Sequence, residues 1–161
     1  MRFVLVDRFV ELEPGRRAVA TKTFSEDEDF FADHFPGFPV VPGVLLTEAM
    51  GQTAGWLLAY DRASGVWPLL TLVDRARFHG FLRPGEEVLL EATVTAQRGP
   101  DFDVRAEARA SGRRVADARL LFHVFSAQAL GLSAADTLRL SAWAARTLEE
   151  LGAAAAAAGR P

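Results

Sequence analysis

The chain has 161 residues, half of them hydrophobic, which predicts a single domain with one compact core and excludes a disordered protein. It contains no cysteine, so disulfides, a cysteine-based zinc site and a cysteine nucleophile are excluded. A net charge of −3 argues against a nucleic-acid partner, and the absence of a long apolar run argues against a membrane span. These features predict a cytoplasmic protein.

The first segments are predicted to form a β-hairpin. Phe3 to Leu12 and Arg17 to Phe24 are the two strand candidates, and Glu13-Pro14-Gly15-Arg16 supplies the turn between them. The stretch 30–43 then contains three prolines and two glycines within residues 36–43, which exclude helix and regular sheet. Because this stretch also carries four phenylalanines, we expect a loop packed against the protein.

Val44 to Tyr60 is predicted to be a buried helix, because apolar residues occupy nearly all of its sides. Gly51 and Gly55 each lower helix propensity by about 1 kcal/mol, and a close backbone approach would compensate for this.

The following part of the chain is β-rich. Four strand candidates are separated by turns that contain proline or glycine: Pro68 to Phe78, Glu87 to Arg98, Phe102 to Ser111 and Arg114 to Phe125. Consecutive long strands joined by tight turns predict an antiparallel sheet. With one buried helix they predict an α+β fold in which the sheet wraps around the helix.

A second helix is predicted from Ser133 to Leu151, with Ser133 as its N-cap. Its expected apolar contacts are Leu132, Leu138, Trp143, Leu148 and Leu151. The Ala-rich tail, Ala153 to Ala158, is expected to fray. We therefore divide the chain into a domain, 1–125, and a C-terminal helical extension, 126–161.

Glu48 is the residue of this sequence that most strongly suggests chemistry. It is an ionisable group on a helix that is otherwise apolar, and buried carboxylates are rare unless they are paired, neutralised or functional. Burial would favour the protonated carboxyl near neutral pH, which a general acid requires. The alternative is a glutamate that points outwards into solvent.

Two further groups precede Glu48. His34 lies in the rigid loop, and a histidine together with a buried carboxyl provides a base and an acid of different strength. Pro42-Gly43 begins the helix, where the first N–H groups have no intrahelical partner, so the Gly43 N–H is available to polarise a carbonyl oxygen. A structural histidine and an ordinary helix start are the alternatives.

The string from His34 to Gln52, HFPGFPVVPGVLLTEAMGQ, resembles the signature of the bacterial 3-hydroxyacyl-acyl-carrier-protein dehydratases, the FabZ-like branch of the hotdog superfamily. The resemblance covers about residues 3 to 125. It includes segments outside the signature: Leu5-Val6-Asp7-Arg8, Phe30-Phe31, Ala76-Arg77-Phe78, Arg83-Pro84-Gly85-Glu86 and Val115-Ala116-Asp117-Ala118. It implies a hotdog fold, with the long antiparallel sheet around one central helix.

The resemblance also implies roles for the site residues. His34 is the base that removes a proton from C2 of a 3-hydroxyacyl thioester, and Glu48 donates a proton to the departing 3-hydroxyl. The Gly43 N–H polarises the thioester carbonyl. Gln52 holds the Glu48 carboxyl, and the Val40 carbonyl selects the tautomer of His34.

The same resemblance implies the partners. The substrate arrives on the phosphopantetheine arm of acyl carrier protein, and no metal or nicotinamide cofactor is needed. The protein is expected to be a homodimer or a trimer of dimers, in which His34 comes from one subunit and Glu48 from the other.

The sequence departs from the family pattern at several points, among them Val41 in place of a common Met. Asp33 stands where a small residue is usual, and it is close enough in sequence to pair with His34 or with nearby cations. The chain also continues beyond the family core after Phe125. The glutamate at position 48, where the related isomerising branch has aspartate, favours dehydration without isomerisation.

Other residues have two interpretations each. Phe35 and Phe38 are candidates for the wall of an acyl tunnel, or for ordinary packing of the loop. Arg75, Arg77 and Arg83 are candidates for a basic patch that binds the acidic carrier protein, or for solvated charges.

The sequence therefore predicts dehydration of (3R)-3-hydroxyacyl thioesters to trans-2-enoyl thioesters, in fatty acid biosynthesis or in polyketide or polyene-type biosynthesis. The alternatives are a hotdog acyl thioesterase, against which the intact His-Phe-Pro-Gly loop argues, and a non-catalytic dehydratase-like subunit that binds acyl carrier. The presence of both His34 and Glu48 argues against the latter.

Overall fold

A computed structural model describes residues 3–60, 62 and 65–159. Its strands are β1 Arg8–Glu13, β2 Arg17–Thr23, β3 Val66–Phe78, β4 Glu87–Arg98, β5 Asp101–Ala110 and β6 Arg113–Ser126. They form one six-stranded sheet in the order β1-β2-β4-β5-β6-β3, in which every neighbouring pair is antiparallel. Strands that follow one another in the chain are neighbours in the sheet, with the exception of β3. Strand β2 pairs with β4, and β3 lies at the edge of the sheet next to β6.

The helices are α1 Gly43–Ala59, α2 Ala134–Glu150 and α3 Ala153–Ala158. Helix α1 packs against every strand from β2 to β6, and its Met50, Leu57 and Leu58 are buried in the main core. On β5 the alternating Phe102, Val104, Ala106, Ala108 and Ala110 are buried towards this core. The predicted α+β fold, with the sheet wrapped around one helix, is confirmed.

The N-terminal strand is shorter than expected. Phe3 to Asp7 lie outside β1, although Leu5 and Val6 are buried. The Leu5 N–H donates a hydrogen bond to Gln52 Oε1 at 2.7 Å, which binds this part of the segment to helix α1, whereas the Asp7 N–H donates to the Thr21 carbonyl of β2 at 2.8 Å.

The loop 30–43 was predicted to pack against the protein, but only two of its four phenylalanines do so. Phe31 is buried and Phe30 packs against the core, with its ring 6.4 Å from that of buried Phe24. Phe35 and Phe38, by contrast, are 53% and 42% exposed in the single chain.

The C-terminal extension contains the predicted helix but contacts the domain differently. Ser133 caps α2, since its Oγ accepts a hydrogen bond from the Asp136 N–H at 3.1 Å. Leu138 is 73% exposed, so its expected apolar contact is wrong. The expected fraying is also wrong, because the tail forms α3, which packs on β1 with Ala153 buried.

Leu151 attaches this extension to the sheet. Its side chain is buried in the main core and its carbonyl accepts a hydrogen bond from the Phe9 N–H at 2.8 Å. We expect Leu151→Ala to lower the free energy of unfolding by about 2–4 kcal/mol, because truncating a buried leucine removes apolar contacts and leaves a cavity. Urea unfolding measures this, with Leu138→Ala on the exposed face of α2 as control. Equal, small losses in both variants would contradict a core role for Leu151.

Candidate active site

The loop before α1 holds His34 through its own backbone. The His34 N–H donates to the Phe30 carbonyl at 3.0 Å, and the Val40 N–H donates to the His34 carbonyl, also at 3.0 Å. The His34 Nδ1 lies 3.0 Å from the carbonyl oxygen of buried Val40. Because a carbonyl only accepts, Nδ1 carries the proton and Nε2 of the neutral ring has a free lone pair.

Helix α1 begins directly after this loop. The Val41 N–H donates to the Leu82 carbonyl at 2.8 Å, which fastens the end of the loop to the segment between β3 and β4. A Cβ at Gly43 would lie 2.8 Å from the Phe78 ring, so a side chain there would require the ring to move. The Gly43 N–H is at the positively polarised end of the helix, where N–H groups have no intrahelical acceptor.

Glu48 and Gln52 face the same side of α1, one turn apart. Gln52 Nε2 donates to Glu48 Oε1 at 3.0 Å, while Gln52 Oε1 accepts from the Leu5 N–H at 2.7 Å and Nε2 also approaches the Phe3 carbonyl at 3.4 Å. The Gln52 amide is therefore fixed by the N-terminal segment, and it in turn orients the carboxyl. With Oε1 accepting a hydrogen bond, Oε2 is the oxygen free to carry a proton. Glu48 is only partly buried in the single chain, short of the full burial expected.

A cavity of about 350 Å³ adjoins this carboxyl. Apart from Glu48 and Gln52 its walls are apolar: Phe3, Val4, Gly51, Gly55, Trp56, Ala59, Trp67, Pro68, Leu69, Leu70, Phe122, Trp143 and Ala144. A Cβ at Gly51 or Gly55 would make only ordinary contacts, at 3.6 and 3.7 Å. These glycines thus leave space in the cavity, and the close backbone approach expected for them is not found.

His34 is not among the described residues that line this cavity. Its ring stacks on Phe35 at 4.3 Å between centroids and contacts Val40, whereas Glu48 is held by Gln52. Within one chain, the two residues expected to share the chemistry, His34 and Glu48, therefore contact different sets of residues.

The surface near His34 is rich in exposed apolar groups. Phe35, Phe38, Phe78 and Phe81 are each at least 42% exposed, and Val44 at the start of α1 is 73% exposed. The edge strand β3 adds Leu69, Leu72 and Val73, all exposed. An apolar surface beside an open strand edge is typical of a protein interface.

The three arginines of the expected basic patch lie in two places. Arg83 is next to the His34 loop, with its guanidinium 3.8 Å from the Phe38 ring centroid and Nη1 donating to the Pro39 carbonyl at 3.3 Å. Arg75 is close to Asp117, which lines a polar groove across β4, β5 and β6. Arg77 is exposed on β3, paired in register with Asp117.

Asp33, the departure noted in the sequence, is exposed. Within the described part of the chain its carboxylate forms no ion pair with His34 or with a cation, and His34 bonds to Val40. Residues 3–60, 62 and 65–159 contain no group of three or more His, Asp or Glu side chains arranged to hold a metal ion. None of the helices described combines the length and apolar character needed to cross a bilayer.

Sequence reasoning missed two contributors to this region. The Phe3 and Leu5 backbone groups orient Gln52, and the three tryptophans of the chain all line the cavity. No spacing pattern signals either feature, because the residues come from segments far apart in the chain.

Glu86 fastens the segment that holds the His34 loop. Its carboxylate accepts from the Arg83 N–H at 2.7 Å and from Arg113 Nη2 at 3.0 Å, and the pKa of this carboxyl is lowered, chiefly by the Arg83 backbone bond and further by Arg113. A lowered folded-state pKa contributes stability above the unfolded-state value of about 4.3, which is lost as pH falls through the folded-state pKa.

We expect Glu86→Gln to lower the free energy of unfolding by about 1 kcal/mol at neutral pH, with the difference from wild type disappearing in acid. Urea unfolding across a pH series measures both. Glu87→Gln, at the exposed neighbouring position, is the control. A difference that is constant with pH would contradict the charge-based explanation.

Comparison with known proteins identifies the family. A family model described as a FabA-like domain matches residues 1–119. Over 123 residues the chain is 37% identical to the 3-hydroxyacyl-[acyl-carrier-protein] dehydratase FabZ of Halalkalibacterium halodurans, which covers 76% of this chain and 88% of that protein. It is 40% identical over 123 residues to the FabZ of Bacillus pumilus, and this alignment covers 76% of this chain and 85% of that protein.

Solved structures agree in fold. A hot-dog-like protein from Thermanaerovibrio acidaminovorans superposes with a TM-score of 0.64 at 17% identity, over 74% of this chain and 88% of that chain. The fluoroacetyl-CoA thioesterase FlK superposes with a TM-score of 0.62 at 14% identity, over 74% of this chain and 93% of that chain. At such identities these matches establish the fold alone, and they confirm the hotdog prediction. The family match and the identities above one third, over most of both chains, show that this chain belongs to the FabA-like family, among relatives named FabZ dehydratases.

Proposed function

We propose that this protein dehydrates (3R)-3-hydroxyacyl thioesters on acyl carrier protein to trans-2-enoyl thioesters, as a hydro-lyase of fatty acid biosynthesis or of a related polyketide or polyene-type assembly. The observation that carries the proposal is a pair of oriented groups. His34 has its Nδ1 bound to the Val40 carbonyl, and Glu48 has its Oε1 bound to Gln52, in a chain whose relatives are named 3-hydroxyacyl-[acyl-carrier-protein] dehydratases.

The chemistry follows from these hydrogen bonds. The free Nε2 of His34 takes a proton from C2, and the electron pair of that C–H bond becomes the second bond between C2 and C3. The C3–O bond breaks as Glu48 Oε2 gives its proton to the oxygen, which leaves as water. The Gly43 N–H stabilises the negative charge that develops on the thioester oxygen. Transfer of the proton from His34 to the Glu48 carboxylate then restores both groups.

The site is completed by a second copy of the chain. The cavity beside Glu48 lacks His34, and the exposed apolar surface with the open β3 edge lies next to the His34 loop. A two-fold axis at this edge would bring His34 of one protomer to Glu48 of the other and would bury these residues. The assembly is a homodimer, or a trimer of such dimers.

The remaining assignments rest on position. Phe35 and Phe38, exposed beside His34, border the route by which the acyl group enters. Arg83 beside Phe38 contributes positive charge for the acidic carrier protein, with Arg75 and Arg77 further along the sheet. The reaction is proton transfer on an activated thioester, so it needs neither metal nor nicotinamide. The groups that carry it all lie in the unit 1–125, the extension 126–161 is an addition to that unit, and the protein acts in the cytoplasm.

One assay distinguishes this function from its alternatives. Purified protein is incubated with a panel of 3-hydroxyacyl carrier proteins that differ in chain length, and the products are resolved by mass spectrometry. Loss of water from the acyl group is the expected result. Release of a free 3-hydroxy acid would instead indicate a thioesterase, and an unchanged acyl group throughout the panel would indicate a binding subunit.

A further inference from the structure

Helix α2 lies outside the matched family domain, which ends at residue 119, yet it contributes to the cavity that holds Glu48. Trp143 and Ala144 of α2 line this cavity. The Trp143 ring is packed against that of Trp56 on α1, with 5.3 Å between centroids and 47° between the ring planes. The extension therefore forms one wall of the candidate active site.

The cavity has one polar end and one aromatic end. Glu48 and Gln52 supply its polar side chains, whereas Trp56, two turns further along α1, faces Trp143. Eight residues of helix separate Glu48 from Trp56 by about 12 Å, a distance that an extended acyl chain of medium length spans. An acyl thioester with its C3 oxygen at Glu48 would thus extend its tail towards the two indoles.

The inner face of α2 leaves room for such a tail. Thr137, Ser141 and Ala144 share one face of the helix, and all three are small. Thr137 Cγ2 would be 3.5 Å from a Cβ at Gly65, Ser141 Oγ is buried, and Ala144 borders the cavity. Because small residues face inwards, Trp143 is the one large side chain with which α2 closes the cavity.

The attachment of α2 is concentrated at its C-terminal end. Thr147 is buried, and Leu148 packs against the main core, next to the anchored Leu151. Trp143 itself is 43% exposed, so its ring has the cavity on one side and solvent on the other. A side chain in that position closes an opening and is not part of the packed core.

We propose that α2 forms the outer wall of the acyl pocket and that Trp143, packed on Trp56, is a specificity-determining residue that limits the length of the acyl chain. The pocket accepts apolar chains of medium length, and longer chains meet the indole pair. This inference rests on the proposed dehydratase function, since it concerns the substrate of the same site.

Full-length Trp143→Ala and Trp143→Phe test the proposal, with Leu138→Ala as a control on the exposed face of the same helix. We compare kcat/KM for four-carbon and sixteen-carbon 3-hydroxyacyl carrier proteins. In Trp143→Ala the ratio of the long to the short substrate should rise about tenfold or more, because the closing ring is gone. Trp143→Phe should show a smaller rise, and Leu138→Ala none. The four-carbon tail does not reach Trp143, so the rate with this substrate should change less in the two Trp143 variants than the rate with the sixteen-carbon substrate. Leu138→Ala should dehydrate both substrates at the wild-type rate.

A ratio that does not rise in folded Trp143→Ala or Trp143→Phe overturns the proposal, and an equal loss for both substrates would reveal a structural role only. A wild-type protein that dehydrates neither these two substrates nor a ten-carbon 3-hydroxyacyl carrier protein would refute the proposed function instead. Binding then tests the pocket directly, because all three tryptophans line it. Non-reactive decanoyl-pantetheine should change the tryptophan emission of wild type saturably, whereas pantetheine alone should not. No change with the decanoyl probe would also overturn the proposal.

Discussion

Glu48→Gln should reduce the dehydration rate by about 10²–10⁴-fold, the usual contribution of general acid catalysis, while the fold stays intact. The amide oxygen of a glutamine at this position can still accept the hydrogen bond that Gln52 Nε2 now donates to Oε1 at 3.0 Å. The variant therefore keeps the geometry of the site but has no proton to give to the departing hydroxyl. The loss should appear in kcat with every acyl chain length.

The measurement is turnover of a 3-hydroxyacyl carrier protein by purified variants whose thermal unfolding matches wild type. Glu87→Gln makes the same chemical change at an exposed position and should retain full activity. Turnover by Glu48→Gln at close to the wild-type rate would show that another group protonates the leaving oxygen.

Mixing two inactive variants should restore about one quarter of wild-type activity. His34→Ala and Glu48→Ala each remove one of the groups that the shared-site model takes from different subunits. With random pairing about half of the dimers are mixed. In a mixed dimer one site inherits both defects, and the other combines an intact His34 with an intact Glu48.

The control is a mixture in which both partners are differently tagged copies of His34→Ala, which should stay inactive at the same degree of mixing. Co-expression with tag purification verifies that mixed dimers are present. If such dimers have no activity, each site is built within one chain, and the shared-site model fails while the roles of His34 and Glu48 remain.

Local features of the sequence were sufficient to locate most of the regular structure. The predicted helix Val44–Tyr60 is observed as Gly43–Ala59, and the four later strands start and end within two residues of their predicted limits. Turns at Gly15 and Gly85, both with positive φ, separate strands where the sequence predicted it. These elements are predictable because prolines, glycines and apolar periodicity act over a few residues.

The loop and helix that carry His34, Gly43 and Glu48 are continuous in sequence, and the hydrogen-bond partners of His34 and Glu48 lie within six residues of them. Helix spacing predicted that Gln52 faces Glu48, whereas the contact of His34 with Val40 was implied by the family resemblance. The resemblance to the dehydratase family supplied the chemistry, which spacing alone did not provide.

Only the tertiary structure decided the features that depend on distant segments. Leu5 binds Gln52 instead of extending β1, and the alanine tail forms a helix because Leu151 and Ala153 find buried positions against β1. Strand β3 became the exposed sheet edge, and Trp56, Trp67 and Trp143 met around one cavity. Residues separated by tens of positions meet only when the whole chain packs, and local propensity contains no information about which surfaces will then face each other.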